Sequence, residues 1–265
     1  YNKMKLFKFI FSPTGGTQKA ADILAEGLAA CGNIPDTMTE TIDLTDYSAD
    51  FGAVCLAPED IALIAVPSYA GRVPEAAMKR LAAVRGNGAR AVLLCVYGNR
   101  AFEDTLVELA NGAKLAGFKT AAAAAAIAEH SIAHTYAPAA GRPDAQDEEC
   151  LKAYAGKIWE KLSGEECPAP AIPGNRPYKK RGAMEMIPQA NEGCTKCGLC
   201  AEKCPVQAID RNDPHIVNRE QCIYCMRCVS VCPLSVREIN PAAVQKVALM
   251  LQTVSPARRE CELFL

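Results

Sequence analysis

Residues 4–17 read MKLFKFIFSPTGGT. An apolar run stops abruptly at Ser-Pro, passes through a turn bearing hydroxyls and glycines, and then enters TQKAADILAEGLAAC (17–31), where apolar residues recur at helical spacing. That order is a strand, a turn and a helix. The texture repeats outward along the chain. DIALIAVP (60–67), ARAVLLCVYG (89–98) and a weaker run at 118–128 read as strands, and residues 36–44 supply one more. Between and after them, residues 74–86, 102–117 and 144–164 have helical spacing. Near-continuous apolar strands alternating with helices predict a parallel sheet covered on both faces, hence an α/β, doubly wound domain over residues 1–163. The run 119–128 holds six consecutive alanines, good helix formers at a position that calls for a strand. Small side chains there would let a helix or a ligand approach the sheet closely.

Half of the 265 residues are hydrophobic and the formal net charge is −1. A large core is therefore available, and the balance of charge argues against a nucleic-acid or anionic-membrane surface as main partner. No apolar run approaches membrane-spanning length. The apolar stretch near residue 4 lacks a small-residue cleavage site and reads as a buried strand rather than a signal peptide, so a cytoplasmic location is expected.

Residues 164–190 are rich in proline, glycine and charge, which predicts a linker stiffened by proline. The cluster Tyr178-Lys179-Lys180-Arg181 within it reads as a solvated loop or a phosphate contact. Residues 191–240 form a second, small module, and 241–265 a C-terminal amphipathic helix and tail that packs on one of the domains.

Fourteen cysteines are many for a reducing compartment, where disulfides do not persist. Six of them, Cys31, Cys55, Cys95, Cys150, Cys167 and Cys261, are scattered and read as small core residues or idle thiols. The other eight form one internal repeat. Cys194, Cys197, Cys200, Cys204 and Pro205 recur 28 positions later as Cys222, Cys225, Cys228, Cys232 and Pro233. C-x2-C-x2-C-x3-C-P is a run that binds [4Fe–4S] clusters. Three thiolates within seven residues wrap one face of a cubane, and the fourth, turned away by its proline, reaches the other cluster. The predicted ligands are Cys194, Cys197, Cys200 and Cys232 for cluster I, and Cys204, Cys222, Cys225 and Cys228 for cluster II. Zinc is the nearest rival, but a zinc site made from two C-x-x-C pairs leaves thiols over. The module holds few apolar residues, so the clusters must supply much of its stability.

The turn Ser12-Pro13-Thr14-Gly15-Gly16-Thr17 sits at a helix start, where amides and hydroxyls favour an anion. No lysine follows the glycines, so it is not a nucleoside-triphosphate loop. Alone it reads as a helix cap as readily as a phosphate site.

The turn resembles the flavodoxin phosphate loop, S/T-x-T-G-x-T. Two further loops strengthen the resemblance: Pro67-Ser68-Tyr69-Ala70-Gly71-Arg72-Val73-Pro74 after the third strand, and Val96-Tyr97-Gly98-Asn99-Arg100 after the fourth. With the cysteine runs, nearly the full chain is similar to the flavodoxin–ferredoxin fusion proteins of anaerobic bacteria. The resemblance implies a flavodoxin-like sheet of strand order 2-1-3-4-5 and a small α+β dicluster ferredoxin-like domain. It also implies FMN, with its phosphate on Ser12, Thr14, Gly15, Gly16 and Thr17. Tyr69 and Tyr97 would neighbour the ring beside Ser68, and backbone groups of Ala70, Gly71, Gly98 and Asn99 would meet its polar edge. Arg72, Arg100 and Asp104 are candidates nearby, with ordinary surface charges as the alternative. Glu129-His130-Ser131 approaches the flavin or a helix end; His130, His134 and His215 otherwise read as structural histidines.

The function implied is electron transfer, single electrons passing between two [4Fe–4S] clusters and FMN, with other redox proteins as partners. The alternative is an FMN-dependent reductase of a small oxidant or quinone-like substrate, fed by the clusters and using Tyr69 or His130 as proton donor. A redox or iron sensor finds no DNA-binding motif or basic face in support.

Overall fold

The computed structural model describes residues 4–182 and 186–265; residues 1–3 and 183–185, at the edge of the predicted first domain and inside the predicted linker, lie outside it. In chain order the elements are β1 (Leu6–Ile10), α1 (Gly16–Gly32), β2 (Thr39–Asp43), β3 (Ile61–Pro67), α2 (Glu75–Leu81), β4 (Arg90–Tyr97), α3 (Thr105–Leu115), β5 (Lys119–Ile127), α4 (Ala145–Ser163), β6 (Gln189–Ala190), α5 (Leu199–Glu202), α6 (Arg227–Ser230), β7 (Arg237–Glu238), α7 (Pro241–Val254) and β8 (Glu262–Phe264).

β1 to β5 pair in parallel in the order β2-β1-β3-β4-β5. This is the flavodoxin-like doubly wound arrangement, and it puts the reversal of strand order, where such sheets bind ligands, at the carboxyl ends of β1 and β3. β3 and all of β4 after Arg90 are buried on both faces, which is why their sequences run apolar without alternation. The alanines at 121–126 are strand, each no more than 1% exposed. Pairing with β4 overrides their helix propensity. The start of α1 comes close to the alanine just past β5, for a Cβ on Gly16 would lie 3.0 Å from that of Ala128. α4 begins with a capping box in which Asp144 and Asp147 satisfy each other's amides.

Two parts of the chain differ from the sequence reading. Residues 164–182 are not a free linker but a strap laid across the start of α3. The buried Asp104 carboxylate accepts hydrogen bonds from the Asn175 and Lys179 backbone amides, both at 2.7 Å, while Cys167 and Ile172 pack against the main core. The Tyr178–Arg181 cluster is likewise engaged: Arg72 donates to the Lys179 carbonyl at 2.7 Å, and Arg181 to that of Val73 at 2.7 Å. The tail, in turn, contributes a sixth strand. β8 pairs antiparallel with β5, which covers what would otherwise be an open edge. α7 lays Leu251 on a small core of Ala133, Tyr136 and Ala139. Among the described residues no helix is long and apolar enough to cross a membrane.

The dicluster module carries its repeat into the backbone. Lys196 and Tyr224 have φ of 56° and 55°, Gly198 and Met226 77° and 59°, Gln207 and Ser235 54° and 53°. Each pair is 28 residues apart. The first two pairs lie between successive cysteines and reverse the chain there, so that three thiols in seven residues can face one point, and the third pair turns the chain after the fourth cysteine of each run.

Candidate functional site

Four turns at the carboxyl ends of β1, β3, β4 and β5 enclose a cavity of about 380 Å³, within the size range of small-molecule and cofactor sites. Ser12, Thr14, Gly16 and Thr17 line one end. α1 starts there from Gly15 (φ 92°), with no side-chain cap and no acidic residue in its first turn. The amides of Gly16 and Thr17 at the head of that turn stay available to an anion. The Ser12 hydroxyl accepts from the Gln18 amide at 2.9 Å, and its own proton is free to donate.

Ser68, Tyr69, Ala70 and Gly71 form the next wall. Tyr69 and Arg72 exchange backbone hydrogen bonds of 2.9 and 3.1 Å across Ala70 and Gly71, both at positive φ. Gly71 is required twice over, since an added Cβ would also lie 1.8 Å from a Glu103 carboxylate oxygen. Burial pushes the Tyr69 hydroxyl well above its ordinary range, and the neighbouring Cys225 adds to that. Tyr97, Gly98 and Arg100 follow from β4. The Tyr97 ring meets Phe102 edge-on with centroids 5.4 Å apart. From β5 come Ala128, Glu129, His130, Ser131 and Ile132. His130 Nδ1 accepts from the amides of Ile132 and Ala133, both at 3.2 Å, which fixes the neutral tautomer with its proton on Nε2. Burial lowers its pKa to about 4, helped by the charges of His134 and Arg100.

Three predicted pocket residues point elsewhere. Arg72 grips Glu108 with two hydrogen bonds of 2.8 Å and stacks on Tyr178. Asp104 holds the strap. Asn99, fully buried, ties down the tail: its side chain donates to the Ala257 carbonyl at 2.9 Å and accepts from the Arg259 amide at 2.8 Å, while Ser255 donates to its carbonyl. Each is polar, near a strand end and satisfied by a segment distant in sequence. Gly15 turns the chain into α1 and does not line the cavity.

Sequence reading missed the roof. Ile223 and Tyr224 of the dicluster module, Met186, and Val247, Met250 and Leu251 of α7 close the cavity from above. Tyr224 and Ile223 stand between predicted cluster cysteines, and only the three-dimensional docking reveals their second role. His130, read as structural, is a wall of the cavity; its position directly after the last strand was the available signal.

The eight cysteines surround two separate small pockets. Cys194, Cys197, Cys200 and Cys232 line one with Pro214, Leu234 and Val236. Cys204, Cys222, Cys225 and Cys228 line the other with Ile209, Val217 and Ile223. Burial pushes the Cys228 thiol up to about 11 and the Cys225 thiol higher. Loading with metal must therefore release protons. Burial acts the same way on Cys232, but amides of residues 234–237 outweigh it and lower its pKa. The pocket of Cys204 and its companions lies against the doubly wound domain. Arg227 donates to the Pro13 carbonyl at 3.0 Å, Arg80 to that of Pro205, and Arg211 to the Tyr47 hydroxyl. Ile223 packs on the main core.

Residues 193–236 match the 4Fe-4S dicluster domain family. Among solved structures, the chain is similar to a flavodoxin from the domain Archaea (16% identity, 61% of this chain and 100% of that one, TM-score 0.44), to the Streptococcus pneumoniae TIGR4 flavodoxin (21%, 59% and 99%, 0.41) and to oxidised flavodoxin 1 from Bacillus cereus (16%, 60% and 99%, 0.44). The chain thus joins a doubly wound domain of flavodoxin-like strand order to a 4Fe–4S dicluster domain at residues 193–236.

Proposed function

We propose that the chain relays single electrons between two [4Fe–4S] clusters and a bound FMN. The grouping of the thiols supports Cys194, Cys197, Cys200 and Cys232 as ligands of cluster I, and Cys204, Cys222, Cys225 and Cys228 as ligands of cluster II. FMN is assigned to the cavity at the strand ends. Its phosphate fits the start of α1 at Ser12, Thr14, Gly16 and Thr17, with Gly15 turning the backbone into the helix, and its ring fits between the Ser68–Gly71 and Tyr97–Arg100 turns. When bound, FMN accepts electrons singly or in pairs, whereas each cluster passes one.

One observation carries the relay: Ile223 and Tyr224 line both the flavin cavity and the cluster II pocket. Cluster II would then be the cluster beside the flavin, with Ile223 and Tyr224 shared between the two sites, and cluster I the one beyond it. Arg80, Arg211 and Arg227 hold that contact by bridging the two domains. The apolar roof keeps water from the ring, and neutral His130 presents its Nε2 proton without adding charge. The same roof fills the side from which a small substrate would approach, which favours the relay over a reductase. Donor and acceptor outside the chain are redox proteins, in a reducing compartment such as the cytoplasm.

The test is anaerobic reconstitution followed by iron, sulfide and flavin determination. Two clusters and one FMN per chain are expected. A chain that takes up iron but no flavin, or flavin but no iron, overturns the proposal.

A further inference from the structure

The two halves of the dicluster module can be laid on each other residue by residue. CPVQAID (204–210) corresponds to CPLSVRE (232–238), and the matching φ values of Gln207 and Ser235 show that the backbones agree. At one buried position they part. Ile209, 6% exposed, belongs to the apolar core of the first half; its counterpart in the second half is Arg237, 2% exposed. A charge stands where the repeat calls for a hydrocarbon.

Arg237 lines both thiol pockets. Its Nη1 and Nη2 both donate to one acceptor, the Pro214 carbonyl, at 2.9 and 3.0 Å. Its Nε–H is buried without an acceptor. Among the described residues no carboxylate shares a hydrogen bond with it. A buried guanidinium so poorly satisfied is costly unless negative charge is brought to it. Thiolates are the anions at hand: Arg237 shares one pocket with Cys200 and the other with Cys222 and Cys228. Those three come from both cluster sets.

We propose that Arg237 is a redox-tuning cation shared by the two clusters, holding both potentials up by stabilising the more negative, reduced state of each. The proposal rests on the two-cluster reading above. The physical reason is Coulomb's law in a medium of low dielectric. One electron added to either cluster increases its attraction to the same guanidinium, and solvent screens that attraction little. The broken repeat is then functional: an isoleucine at 237 would complete the symmetric core and leave the two anionic centres facing each other with no cation between them.

The experiment compares the full-length protein with R237Q and R237K after anaerobic reconstitution, measuring iron content and then both midpoint potentials by EPR-monitored titration. In R237Q both couples should move negative by at least 59 mV, a tenfold change in each one-electron equilibrium, while R237K should stay closer to the parent. Unmoved potentials in R237Q, movement of one couple alone, or an equal shift in R237K overturns the proposal. If R237Q takes up no iron, full loading of R237K supports the need for charge, and failure of both variants shows that the residue only packs. A parent protein without two clusters overturns the two-cluster reading, whereas a two-cluster parent with an unresponsive R237Q overturns this inference alone.

Discussion

Replacing Asp104 by alanine should release the strap while leaving the sheet intact. The carboxylate is fully buried and accepts three hydrogen bonds, from the Asn175 amide at 2.7 Å, the Asn175 side chain at 3.0 Å and the Lys179 amide at 2.7 Å. A hydrogen bond to a charged group contributes roughly 1.5–3 kcal/mol, so the two orphaned backbone amides alone cost about 3–6 kcal/mol of local stability. The contacts of Arg72 and Arg181 with the strap remain, so the loss falls on opening of residues 174–181 rather than on global unfolding. At ~1.4 kcal/mol per decade, amide exchange there should accelerate by about two to four orders of magnitude. Hydrogen exchange read by mass spectrometry on a peptide covering 174–181 measures this, with β4 peptides as the unchanged reference. The pH dependence adds a second check. Burial opposes ionisation of Asp104, yet the hydrogen bonds from Lys179 and Asn175 outweigh it and hold its carboxyl below the ordinary 3.8. Its contribution is thus complete above that ordinary value and is lost as pH falls through the depressed one. Exchange in the strap should quicken only in strong acid in the parent and be indifferent to that range in Asp104→Ala. Exchange within a factor of three of the parent at neutral pH would refute the clamp.

Gly98→Ala places a Cβ 2.6 Å from the His130 ring. Overpacking of this kind costs about 1–3 kcal/mol, and because it displaces a wall of the cavity, FMN affinity measured by fluorescence quenching should fall about tenfold or more; an unchanged affinity would place the ring away from His130. The flavin-free protein should also lose stability between pH 6.5 and about 4. His130 is neutral when folded, so its contribution is complete above the ordinary imidazole pKa and is lost as pH falls through the lowered one, at ~1.4 kcal/mol per unit. Thermal melts across that window should slope, and His130→Gln should flatten them; equal slopes would assign the loss to other groups.

Much of this molecule was readable from local pattern. A parallel doubly wound sheet follows from alternation of apolar runs with helices, its strand order from the flavodoxin resemblance, and the cysteine spacing sorts eight thiols into two sets that the structure gathers around two pockets. What escaped depends on segments that return from far along the chain. Asp104, Arg72 and Asn99 look like ligand groups because polar residues at strand ends usually face the site. The strap amide that Asp104 holds at Asn175 lies 71 positions away and the tail amide that Asn99 holds at Arg259 lies 160 away, and no periodicity announces such a pairing. Residues 164–182 read as a linker because composition reports proline and charge, not the buried carboxylate waiting to accept the backbone amides. β8 is only three residues long, below the length at which alternation is legible. The roof escaped for a different reason: Ile223 and Tyr224 carry one pattern, that of the cluster run, and a second duty that exists only once the two domains dock.

In the proposed relay, cluster II and the flavin are neighbours within one chain. Stopped-flow or flash-photolysis measurement of flavin reduction after one-electron reduction of the clusters tests it most directly. A first-order rate that does not change on dilution is predicted. A rate that falls in proportion to protein concentration, as electrons pass between separate molecules, would contradict it.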